Sequence, residues 1–326
     1  MKQTTKKIVW LVAFLGINTI GLCTEPFAKG PYLGQTPPGP TAKVFAPGLI
    51  SDTRPKTYES NGTFSADGNV YCYARASLNQ SQKFDGGIFI TENTPQGWTA
   101  PRLVESIVKS GIPAWGPCLS PDANSIYFTY ARTKPISKRN IYRCDRTTDG
   151  WTMPQALGAP LSSPTIEFTC CIAMNNSMYI GSGRKGDPFG PSAIWVAPFV
   201  NNTWQQATHI SLNNQQEGCP ADPGIAPDES FMVFMAKDLP GGCGHQDLYL
   251  TLRLPDGTWS KFRNLGPRIN SPYVEHSPRI SPDKKYLFFT RGNGWDPRKH
   301  NSDIYWVELK EYLPETYRQL EGTSRE

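Results

Sequence analysis

The amino-acid sequence predicts an all-β chain, a five-bladed β-propeller of four-stranded antiparallel blades whose ring is closed by an N-terminal strand. Three observations predict it. A turn-strand-base template recurs five times, as SADGNVYCYAR from Ser65, SPDANSIYFTYAR from Ser120, AMNNSMYIGSGR from Ala173, APDESFMVFMAK from Ala226 and SPDKKYLFFTR from Ser281, at steps of 55, 53, 53 and 55 residues. Four tryptophans, Trp98, Trp151, Trp204 and Trp259, follow turn sequences at steps of 53, 53 and 55. A fixed period of this length marks a repeat architecture in the kelch size range. Finally, the composition is that of short strands and tight turns, with 29 Gly, 30 Pro and 12% aromatic residues.

Taken in order, the chain opens with a basic stretch (Lys2, Lys6, Lys7) and an apolar run from Ile8 to Ile20. That pattern reads as an export signal over residues 1–23, too short to span a bilayer. It has two readings: cleavage near Cys23, or a lipid anchor on Cys23. The expected location is the periplasm or outer membrane, or outside the cell. No transmembrane segment is expected in the mature chain. Three of the 33 basic residues and none of the 28 acidic ones lie in the leader, so the mature chain carries only +2. That balance excludes nucleic acid as an expected partner. Residues 24–41 are Pro- and Gly-rich and read as a tether or an irregular wrap over the domain.

The propeller is expected over 42–309. In the fifth repeat, strand one covers Glu275 to Ile280, strand two Tyr286 to Thr290 and strand three Asp303 to Glu308. Strand three of the other repeats is GIFI from Gly87, NIYR from Asn140, AIWV from Ala193 and DLYL from Asp247. Strand four starts at each tryptophan, whose role is packing between blades. The fifth repeat has no such tryptophan. The segment AKVFAPGLIS from Ala42 resembles the fourth-strand regions, so Lys43 to Phe45 is expected to supply the missing outer strand and cover an exposed edge. Residues 310–326 form a tail, either a short surface helix or irregular.

The succession of Ser-Pro-Asp turn, apolar strand, Arg, loop, Asp-Ile-Tyr strand, Gly-x-Trp strand and Leu resembles the WD-like propeller repeats of bacterial envelope proteins, the group of the TolB propeller. The resemblance covers Ala42 to Leu309. It implies an exported propeller that engages an envelope protein or a glycan.

Candidate chemistry gathers at one face. Glu59, Glu167 and Glu275 start inner strands, and Arg75, Arg132, Arg184, Lys237 and Arg291 end second strands. They read either as a polar ligand site or as repeated Glu–Arg pairs that lock strand one to strand two. Residues that break the repeat are Trp115, Asp222 and His276, and the loops add His245, Trp295, Asp296 and His300. Trp115 and Trp295 either stack on a ligand or cap loops by packing. The turn residues Asp67, Asp122, Asp228 and Asp283 read as acceptors of their own turn amides.

The sequence has no CxxC spacing, and its histidines lack a ligand pattern, so no metal or cofactor is expected. Cys219 and Cys243 are expected at one end of a strand pair, as a disulfide. The other body cysteines, Cys72, Cys118, Cys144, Cys170 and Cys171, read as small buried residues.

The main functional expectation is a monomeric, non-catalytic propeller that binds a protein or glycan partner through its loop-rich face. The alternative is a carbohydrate-active enzyme, a hydrolase or lyase, with Glu275, Glu167 and Asp222 as candidate carboxylates.

Overall fold

The computed structural model describes residues 27–52, 54–78, 84–112, 114–130, 140–184, 192–212, 219–237, 239–294 and 300–318. The leader, Cys23, Arg132, Trp295 and Asp296 lie outside them. The fold is a β-propeller. Its inner strands are Thr57–Phe64, Ala114–Leu119, Glu167–Ile172, Ala221–Ile225 and Val274–Ile280. Each packs against the next, and the last returns to the first. Each pairs antiparallel with its repeat's second strand, which pairs with the third.

The ring closes as the sequence suggests. Lys43 and Val44 pair with Trp306 and Tyr305, and the Phe45 amide donates to the Ile304 carbonyl. The ladder of the fifth repeat therefore ends on the chain's own N-terminal part. The fourth strands are shorter than expected. Trp98 and Trp151 sit in two-residue hairpins, and the outer edge is completed further on by Arg102–Leu103 and Gln155–Ala156.

The core is not central. Among the described residues it lies in five apolar clusters, each at the interface of adjacent repeats. Trp98 and Trp259 are buried there, while Trp151 and Trp204 are partly buried against their clusters. Period-2 alternation explains the geometry, since successive strand residues face neighbours on opposite sides. Thus Cys170 belongs to the interface before its repeat and Cys171 to the one after.

The N-terminal segment wraps over the seam between the fifth and first repeats. Leu33 is buried, and the Tyr32 ring lies 5.3 Å from Phe64 and 5.0 Å from Tyr286. The Trp98 indole N–H donates to the Gly30 carbonyl. After the last strand, Tyr312 and Leu313 join the interface of the fourth and fifth repeats, followed by a short helix, Glu315–Arg318.

The recurrent turn has a definite chemistry. In three repeats the Ser hydroxyl donates to the Asp two residues on and accepts an amide five residues on. The residue after that Asp, or after Asn175 in the third repeat, takes a left-handed conformation: Gly68 (φ 72), Ala123 (φ 56), Asn176 (φ 65), Glu229 (φ 60) and Lys284 (φ 57). Only the first is glycine. Ala123→Gly should therefore stabilise the protein by about 0.5–1 kcal/mol, since left-handed strain at a Cβ exceeds the entropy that glycine adds to the unfolded chain. An upward shift of the urea midpoint checks it.

Candidate functional site

The carboxylates that start inner strands are closed off. Glu59, Glu167 and Glu275 are fully buried. Arg75 meets Glu59 at 3.2 Å, Arg184 meets Glu167 at 3.5 Å, and Arg291 meets Glu275 at 2.8 Å. Each carboxylate also takes a backbone amide, from Asp52, Ser163 and Ser271 respectively. Each Arg also donates to a carbonyl, of Ile50, Leu161 or Ile269. This is a repeated lock between strand one, strand two and the preceding loop. Burial pushes the Glu59 carboxyl up to about 8, with Asp303 and Asp52 adding repulsion against the pull of Arg75. Glu275 is likewise raised by burial.

Asp222 is placed differently. All five inner strands shift register midway. At the shift, Gly116 (φ 60), Asp222 (φ 49) and Ser277 (φ 54) are left-handed, and each is followed by proline. An inserted residue unpairs from the ladder and re-aims its side chain. Such strain in a non-glycine residue persists only where its surroundings hold it.

Here they do. The Asp222 carboxylate takes hydrogen bonds from the Thr169 hydroxyl (3.2 Å) and from the Ser277 amide and hydroxyl (both 3.3 Å). The Ser277 hydroxyl meets His276 Nδ1 at 2.8 Å, and His276 Nε2 meets the Tyr58 hydroxyl at 3.1 Å. The Tyr58 ring then contacts the half-buried Trp115, with centroids 5.0 Å apart. A polar chain Asp222–Ser277–His276–Tyr58 thus links three repeats across the hub.

Within this chain Asp222 and His276 are both shifted toward their neutral forms. Burial raises Asp222 above the usual carboxylate range, against the pull of Arg279 and three hydrogen bonds. Burial drives His276 down to about 3. The His276–Asp222 approach of 3.9 Å is therefore not an ion pair at neutral pH.

The remaining candidates are scattered. His300 is half-buried, with its imidazole filling the space that a side chain at Gly294 would need. His245 is exposed on the loop before the third strand of the fourth repeat. Arg291 is spent on Glu275. The expected Cys219–Cys243 disulfide is corrected, because both are free thiols. The Cys243 and Gly244 amides instead donate to the Asp247 carboxylate, which ties that loop to the third strand. Among the described residues no cluster of three or more His, Cys, Asp or Glu has the arrangement to hold a metal ion, and no helix is long and apolar enough to cross a membrane. Sequence reading missed Tyr58, Thr169, Ser277 and Arg279. The one available signal was the Gly-Pro, Asp-Pro and Ser-Pro pairs at matching places in three repeats.

No family model and no curated protein matches this chain. Solved structures do. One described as a glycoside hydrolase superposes with a TM-score of 0.53 at 10% identity, over 83% of this chain and 91% of that one. A second, described as a complex of BT0996 with RGII, gives 0.51 at 11% identity over 83% and 91%. The fold is theirs. The envelope-repeat resemblance stands at the level of the propeller. The expectation of a non-catalytic propeller is corrected: the fold is one that this chain shares with a structure described as a glycoside hydrolase.

Proposed function

We propose that this chain is a carbohydrate-active enzyme of the glycoside-hydrolase kind, with Asp222 as proton donor to the leaving oxygen. The observation that carries the reading is the Asp222 carboxyl itself. It is held at a strained bulge on an inner strand, and burial favours its protonated form. A general acid for glycosidic cleavage needs a carboxyl of that kind. Of the three sequence candidates, Glu167 and Glu275 are each tied to an arginine and a backbone amide, whereas Asp222 is bound only by hydroxyls and one amide. The Ser277–His276–Tyr58 chain orients it and connects it to further exchangeable protons. Trp115 supplies an aromatic surface beside the chain, suited to the apolar face of a sugar. The leader supports an exported enzyme acting on a glycan outside the cytoplasm.

The test is direct. The folded wild-type chain is incubated with a panel of plant, fungal and bacterial oligosaccharides and aryl glycosides, and new reducing ends are measured. Cleavage of a defined linkage supports the reading. No cleavage anywhere in the panel, by protein shown to be folded, removes it.

A further inference from the structure

A second reactive group lies on the turn side of the hub. A cavity of about 50 Å³ opens there, with Cys118, Cys171 and Arg279 in its wall and Phe64, Met174 and Ile280 beside them. Met174 is half-exposed at the rim. Cys118 and Cys171 come from the inner strands of the second and third repeats, which pack side by side, and both line this cavity. Arg279 is fully buried. Its Nη1 donates to the carbonyls of Pro223 and Pro278 and its Nη2 to that of Cys170, while its Nε has no partner among the described residues. No carboxylate among the described residues lies within ion-pair distance of it. A guanidinium stays charged in any protein setting. Neutral carbonyls do not balance that charge, and the two thiols line the same cavity wall.

We propose that Cys118 and Cys171 form a peroxide-reactive dithiol that closes to a disulfide between neighbouring blades. The neighbouring Cys118 thiol, then the Arg279 charge, draws the Cys171 thiol below the ordinary thiol range against its burial, so Cys171 is the attacking sulfur. It attacks one peroxide oxygen and the O–O bond breaks. The departing hydroxide takes up the proton that Cys171 released and leaves as water, and Cys171 becomes a sulfenic acid. The Cys118 sulfur then attacks the Cys171 sulfur, and the sulfenic hydroxyl leaves with the Cys118 proton as a second water. Two thiols are oxidised and one peroxide is reduced. The cavity has room for one or two water-sized molecules. It therefore admits hydrogen peroxide and excludes bulky disulfides. This inference is independent of the carbohydrate reading.

The experiment treats the folded full chain with hydrogen peroxide or with oxidised glutathione, alkylates the remaining thiols in denaturant and maps peptides by mass. The expected result is a Cys118–Cys171 cross-linked peptide, lighter by two hydrogens and reversed by dithiothreitol. It should form roughly tenfold or more faster than oxidation of Cys72 or Cys144, whose thiols burial raises. In Cys118→Ala, unfolding the peroxide-treated protein into denaturant that contains dimedone should tag the Cys171 sulfenic acid. The wild-type measurement decides even where a variant folds poorly. The proposal is overturned if Cys118 and Cys171 stay free while Cys219 or Cys243 oxidises, if Cys118 pairs with Cys170, or if oxidised glutathione modifies Cys171 as fast as peroxide does.

Discussion

Asp222→Asn is expected to lower kcat for glycan cleavage by about 10²–10⁴-fold, the usual worth of a general acid, while the protein stays folded. The amide cannot deliver a proton. Its oxygen still accepts from Ser277 or Thr169, so the bulge keeps its anchor. The stability of the variant carries its own signature.

Asp222 has a folded-state pKa above its unfolded value near 3.8. Its contribution is therefore fully present below that value and is lost as pH rises through the folded pKa. Within that window wild-type stability falls by about 1.4 kcal/mol per pH unit on account of this group. Asn does not titrate. Urea unfolding at pH 4 and pH 7 should thus show Asp222→Asn gaining on wild type as pH rises. His276 acts in the opposite sense. Its folded pKa of about 3 lies below the ordinary 6.5, so its contribution is present above 6.5 and is lost as pH falls toward 3. Unchanged kcat in Asp222→Asn, with cleavage intact in wild type, moves the acid elsewhere and leaves the enzyme class standing.

The scaffold was legible because its signals are local. A Ser and an Asp two residues apart make their own turn, and a 53–55-residue step repeats it. The tryptophans and the N-terminal closing strand follow from the same alignment of repeats. The site was not legible in this way. Asp222 meets Thr169 across 53 residues and Ser277 across 55, and Tyr58 meets His276 across 218. These contacts run between repeats at the hub, where no spacing in one strand announces them. The Glu–Arg pairs show the converse. Their recurrence was visible, and recurrence was the clue that they belong to the frame. Arg279 was passed over for a related reason. It sits two residues before the turn template, where the other repeats carry Thr63, Cys118, Cys171 and Gly224, so the position repeats but its chemistry does not.

The frame reading has a large expected consequence at Arg291. Arg291→Met should cost about 3–5 kcal/mol, because removing one partner strands a buried charge. Glu275 is fully buried, and its Oε1 accepts from Arg291 Nε at 2.8 Å and from the Ser271 hydroxyl at 2.5 Å. Arg291 Nη2 also holds the Ile269 carbonyl, and its guanidinium lies 4.3 Å from the Tyr305 ring centroid. Methionine keeps part of the ring contact and none of the charge. Without Arg291 the Glu275 pKa rises further above its unfolded value, so the loss should be smallest at acid pH and grow as pH rises. Glu275→Gln combined with Arg291→Met removes the stranded charge and should recover most of the loss, a coupling that a double-mutant cycle in urea measures. Catalysis separates the two roles that the sequence left open for Glu275. As a frame residue, Glu275→Gln lowers stability and leaves kcat per folded molecule near wild type. A large drop in kcat with an unchanged urea midpoint would return Glu275 to the reaction.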